Sequence, residues 1–217
     1  MNKGQLRARW RRDVKDLSRP YLWSDDDFDD WIAEAEREAA RRAFLLVDST
    51  SDAAQLELSA GDIGCALDPS VIFVRRAVLS SGKPLTPRVA RAMDEEVPGW
   101  ENAMPSVPIV FIPDWQSRYL RFWPPTKAAQ TVNLTVIRLP AVSLAEVADE
   151  DEPEIPEADH IHLLDWVKFR CYDVQDSDGY DPAKSAKHEK KFIERFGEST
   201  SIGEHWALEQ YYDVGAN

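Results

Sequence analysis

Apolar positions recur at spacings of three and four through the first fifty residues, switch to short alternating runs, and return to helical spacing near the end. Gln5–Leu17 predicts a helix with a basic face, closed by Ser18-Arg19-Pro20, because proline disfavours helix at the residue before it. The next helix has a full start signal. Ser24 is a good N-cap, Asp27 closes a capping box, and Trp23 and Phe28 are spaced for a hydrophobic staple. Phe28, Trp31, Ile32, Ala35, Ala39, Ala43 and Leu46 then form one apolar stripe, and its alanines keep the helix narrow enough for close helix–helix approach. Between about 50 and 143 the period is two. Gln55–Leu58, Val71–Leu79 and Thr131–Leu139 read as strands, and Thr86–Glu96 as one or two helical turns. Pro108–Ile112 and Arg118–Trp123 read as hairpin arms joined through Pro113-Asp114-Trp115-Gln116. Beyond 160, Ile161, Leu164, Val167 and Cys171 share a helical face, widened by Leu163 and Trp166. Asp181-Pro182 opens another helix and Phe196-Gly197 closes it. Ile202–Tyr212 is a last amphipathic segment.

This order predicts an α+β fold, with N- and C-terminal helices (1–49 and 156–217) forming one bundle and an antiparallel β domain (50–143) inserted between them. Residues 144–155 read as an acidic, proline-containing linker, since a charge run is usually a solvated segment.

Composition narrows the function. The chain of 217 residues carries 39 acidic and 26 basic side chains, a formal charge of −13, which argues against work that neutralises nucleic-acid phosphates. Its 8 Trp, 6 Tyr and 8 Phe are too many for a disordered chain. Cys65 and Cys171 form no C-x-x-C pair and fit a reducing compartment. The basic start is followed by no apolar run, and no stretch has the length of a membrane span, so a soluble protein made in cytoplasm is expected.

No phosphate-binding glycine loop and no nucleophile elbow occurs. Asp176-x-Asp178-Gly179 resembles part of a calcium loop, but Val174 and Ser185 stand where its first and last ligands belong. His160 and His162 are two apart and would diverge on a helix, and neither His188 nor His205 has a partner visible in the sequence. Asp25, Asp26, Asp27, Asp29 and Asp30 sit at the positive end of a helix dipole, which accounts for them without a metal. The sequence therefore predicts no catalytic residue, metal site or cofactor. What stands out is aromatic. Trp115 at a hairpin tip, and Trp206, Tyr211 and Tyr212 with Leu208 on a terminal segment, are the residue types that anchor protein interfaces.

The stretch Leu22-Trp23-Ser24-Asp25-Asp26-Asp27-Phe28 with the alanine-rich run 32–43 resembles the opening helix of tailed-phage head-to-tail adaptor (connector) proteins. So do Pro153–Glu157 with His162–Val167, the Asp176–Asp178 loop, and the helix ending Arg195-Phe196-Gly197. With its β block, the chain looks most like the adaptor of short-tailed phages, the tail tubular protein A type. The resemblance implies a structural, non-enzymatic virion protein at the portal vertex. It would form a homo-oligomeric ring, typically of about twelve copies, closed by head-to-tail contacts beneath the portal protein. That ring would extend the DNA channel, with DNA passing unbound, and offer a platform to the tail nozzle or tail fibres. Within it, Trp206, Leu208, Tyr211 and Tyr212 would grip the portal, Ala35, Ala39 and Ala43 would line subunit contacts, and Trp115 would face the tail. Two other classes stay open at this level: a divalent-metal-dependent hydrolase built on Asp25–Asp30 with distant histidines, and a monomeric interaction module.

Overall fold

A computed structural model of the chain describes residues 1–175 and 177–199. Backbone contacts divide it into two compact units, residues 1–46 with 139–217 and residues 47–138. The fold is mixed α+β, with two sheets.

The first unit is helical. Helix α1 (Lys3–Val14) starts at Asn2, whose side chain and that of Gln5 form a reciprocal capping box. Helix α2 (Asp25–Ala43) starts at Ser24 with the Asp27 capping box, as its sequence predicts. Both end on a residue in the left-handed region, Lys15 and Phe44. A single turn, α4 (Glu157–His160), precedes α5 (Leu163–Asp173). Helix α6 (Pro182–Phe196) is capped by Asp181, which accepts from the Lys184 N–H, and ends at Gly197 with φ 85°. Trp10 is fully buried, with the rings of Phe28, Trp23 and Trp31 centred 5.2, 5.9 and 6.2 Å away. At the other end, Phe192 packs between Trp166 and Phe196, at 4.8 and 4.7 Å. Ile161 lies before α5 begins and is exposed, so the apolar face of α5 is Leu163, Leu164, Trp166, Val167 and Cys171.

The acidic stretch read as a solvated linker is packed instead. Leu144 and Ile155 are buried in the helical core. The N–H groups of Lys3 and Gly4 donate to the carbonyls of Asp151 and Asp149. Charge run and core segment coexist because the carboxylates point outward while apolar residues between them anchor the backbone.

The second unit holds every strand among the described residues. In one sheet, β8 (Gln130–Arg138) is central. The long strand β4 (Val71–Leu79) lies along one edge, and β1 (Val47–Asp48) and β2 (Gln55–Leu58) follow each other along the other, all antiparallel. Asp48 locks this edge. It accepts from the N–H groups of Thr50 and Ser51 at 2.9 and 3.1 Å and from Arg138 Nε at 2.7 Å. The Thr50 N–H, with Ser51 and Arg138, holds its carboxyl far below the usual carboxylate range. A depressed pKa adds stability that is present above about pH 4 and is lost as pH falls through the folded value. Asp48→Asn is expected to cost about 2 kcal/mol at pH 7 by urea unfolding, with the gap closing in strong acid. A gap unchanged by acid would contradict this.

The second sheet runs β3 (Gly64–Ala66), β7 (Tyr119–Trp123), β6 (Val110–Gln116), β5 (Thr86–Pro87). Two expectations are corrected here. The sheet is not purely antiparallel: β5 pairs parallel to β6, because residues 88–109 form a crossover containing α3 (Ala90–Glu96) and a turn of 3-10 helix at Trp100–Asn102. And Pro113–Gln116 is not the hairpin turn. Strand β6 continues to Gln116, which pairs with Tyr119, and the chain reverses at Ser117-Arg118, where Arg118 takes φ 55°. Pro113, Asp114 and Trp115 stand opposite Leu120 alone, forming a bulge at a residue that has no N–H to give the ladder.

Candidate interaction surfaces

In β7 the side chains alternate. Leu120 and Phe122 are buried on one face, while Tyr119, Arg121 and Trp123 share the other. On that second face Met93 of α3, Trp100, Val110 and Ile112 form a small core, with Trp123 against it. The β6 bulge turns Trp115 toward the end of this core, so it is a strand residue and not a loop tip. Its ring meets Trp100 edge-on, with centroids 5.4 Å apart and planes at 82°. Arg121 lies over both rings, its guanidinium carbon 4.0 Å from Trp115 and 4.6 Å from Trp100. Trp100 Nε1 donates to Asp94 at 2.9 Å and Trp123 Nε1 to the Trp100 carbonyl at 3.0 Å, which fixes the indoles. The Asp114 carboxylate accepts from the Ala90 N–H and so caps α3. Gly64 pairs with Arg121, and a side chain there would meet the Leu120 carbonyl at 2.3 Å and the Tyr119 ring at 2.7 Å. Trp115 is 38% exposed, and the loop before β6 leaves Met104, Val107 and Ile109 exposed as well.

In the helical unit part of the basic face expected on α1 turns inward, while Arg9 and Arg12 stay exposed. Lys3 and Arg11 are buried. Lys3 Nζ donates to Asp29, Arg7 bridges Asp29 and Asp149 at 2.6 and 2.7 Å, and Arg11 joins Asp16 and Asp25 at 2.8 and 2.5 Å. The Arg11 hydrogen bond and charge hold the Asp25 carboxyl below the usual range. Asp25 and Asp29 are therefore counter-ions of α1 as well as dipole partners, and they face arginine and lysine, not histidine. His160 is buried, with Nε2 2.8 Å from the Ile155 carbonyl. His188 pairs with Asp165 at 2.7 Å. Among the described residues no group of three or more His, Cys, Asp or Glu is placed to hold a metal ion. Burial pushes the Cys65 thiol up to about 11 and the Cys171 thiol up to about 12. Among these residues, too, no helix is long and apolar enough to cross a membrane.

The three alanines expected between subunits have another place. Ala35 and Ala39 are fully buried in the core of their own unit and Ala43 packs against it, where α2 meets α5. A small-residue stripe admits whichever helix comes close, and here that helix belongs to the same chain. Trp206, Leu208, Tyr211 and Tyr212 lie outside the described residues, as do Asp176 and His205.

Sequence reasoning singled out Trp115 but missed Arg121 and Trp100, which the fold brings to it. Alternation in β7 puts Arg121 on the face of Tyr119 and Trp123, but nothing local ties Trp100 to them.

No curated protein matches the chain. Residues 1–211 match the family described as SU10 adaptor protein. The family supports a structural role as a virion component, and the chain belongs to it: the SU10 adaptor protein family, a phage head-to-tail adaptor family.

Proposed function

We propose that this protein forms a ring of about twelve copies under the portal, extends the DNA channel and carries the tail. The family match over residues 1–211 is the observation that carries this reading. The helical unit is the ring-forming bundle and the β unit is the inserted platform that meets tail components, with Trp115, Met104, Val107 and Ile109 on its exposed surface. A net charge of −13 per copy, repeated around a channel, repels phosphates and lets DNA slide. The terminal segment with Trp206, Leu208, Tyr211 and Tyr212 grips the portal.

Mixing the protein with the portal of the same virus is expected to yield a co-sedimenting, ring-shaped complex visible by electron microscopy. Protein that stays monomeric beside an assembled portal overturns the adaptor ring. Trp206→Ala is expected to weaken the complex, and the double change Trp206→Ala, Tyr211→Ala to weaken it further. A complex untouched by the double change removes the terminal grip while leaving the ring.

A further inference from the structure

Arg121 is a cation that the fold takes out of water without giving it a counter-ion. It is 6% exposed, yet among the described residues its guanidinium has no carboxylate within ion-pair distance and no hydrogen-bond acceptor. The two tryptophan rings offer it π-clouds from one side and no lone-pair acceptor. A cation over an indole contributes about 0.5–2 kcal/mol, while the five N–H donors lie in the guanidinium plane and need acceptors. Leaving such a group buried and unpaired is costly. Its nitrogens are not among the fully enclosed polar atoms, so the edge of the group is open to an incoming acceptor. The arrangement is a half-built ion pair: donors oriented by two fixed rings, with the acceptor missing from the described chain.

We infer that Arg121, held against the Trp100–Trp115 pair, receives a carboxylate from the acidic segment 146–157 of a neighbouring copy of this chain. This inference rests on the ring proposed above. A planar carboxylate matches the guanidinium fork in a bidentate pair, and the exposed part of Trp115 supplies the apolar surface that excludes water around it.

Charge distribution points to the second copy. The β unit carries 10 acidic and 9 basic residues, so nearly all the negative surplus belongs to the helical unit. In the acidic segment most carboxylates are engaged: Asp149 with Arg7, Asp151 with the Ala148 N–H, Glu154 with the Ala141 N–H. Glu146 and Glu150 are exposed, and their carboxylates have no partner among the described residues. Arg121 and these glutamates form two different, complementary patches on one chain, which is what a head-to-tail contact needs.

The test uses the full chain with its portal. Arg121→Gln is expected to weaken ring assembly about tenfold or more, read as copies bound per portal across a concentration series. Glu146→Gln with Glu150→Gln, both exposed and harmless to folding, is expected to weaken it similarly. Combining all three is expected to add little beyond either alone, as coupled partners do in a mutant cycle. In rings assembled from Arg121→Lys, carbodiimide is expected to join the new lysine to the 146–157 peptide of another copy, identified by mass spectrometry. Rings that form normally from the Glu146, Glu150 variant overturn the inference while leaving the ring reading intact. So do additive effects, or a loss confined to a tail protein or to added DNA. A wild-type protein that makes no ring overturns the ring reading itself.

Discussion

Trp10→Ala is expected to lower the stability of the protein by about 4 kcal/mol, a value at the upper end of single-residue effects. The indole is fully buried, with Trp23, Phe28 and Trp31 packed around it and the Arg11 guanidinium 5.1 Å from its centre. Helix α1 has little else to hold it by burial. Leu6 is its other fully buried apolar side chain, Val14 packs against the core only in part, and its remaining buried residues are Lys3 and Arg11. Removing the ring opens a cavity among rigid aromatics that cannot collapse into it, and loosens the helix that carries the counter-ions of Asp25 and Asp29. Trp10→Phe keeps much of the packing and is expected to cost less than half as much. Urea unfolding followed by far-ultraviolet circular dichroism measures both; a loss under about 1.5 kcal/mol for the alanine variant would show that α1 is not held this way.

Glu36→Gln is expected to stabilise the protein above neutral pH and to do so less and less as pH falls. Glu36 is 1% exposed on α2, and its carboxylate accepts from the N–H groups of Glu154 and Ile155, fastening the acidic segment to the helix. Burial first, and then the nearby Glu154 charge, push its pKa up from 4.5 to about 7 despite those two hydrogen bonds. The folded chain then holds a proton that the unfolded chain has released, so stability falls as pH rises from about 4.5 to about 7. That window corresponds to at most ~3 kcal/mol. Glutamine keeps an oxygen for both N–H groups and has no charge to bury. The stability difference between variant and wild type should therefore grow in the variant's favour between pH 5 and pH 8. A difference that stays flat across that range would mean the carboxylate is solvated when ionised.

These two sites also show where sequence reasoning succeeds and stops. The starts of α2 and α6 and the runs that became β2, β4 and β8 were legible because a cap, a proline at N1 and a two-residue alternation act between neighbours a few positions apart. The family was legible for the same reason: its opening helix, acidic run and terminal helix are local patterns carried in order along the chain.

Sequence marks Trp115 as an anchor on a loop, because the bulge that lengthens β6 depends on its pairing with β7. The alanine stripe suits a surface between subunits, yet α5, more than a hundred residues on, covers it. From sequence the aspartates at the head of α2 are dipole partners, with a metal cluster as the alternative; the fold brings arginines and a lysine of α1 to Asp25 and Asp29. The acidic segment looked solvated until Leu144 and Ile155 entered the core.

By itself the sequence determined where helices and strands begin, the acid surplus, the aromatic richness and the adaptor family. Only the tertiary structure decided which charges are paired, which small residues are covered, and that Arg121 lies over two tryptophans with no carboxylate partner among the described residues. Periodicity and capping are energies between near neighbours, whereas burial and ion pairing depend on which distant segment the fold lays alongside.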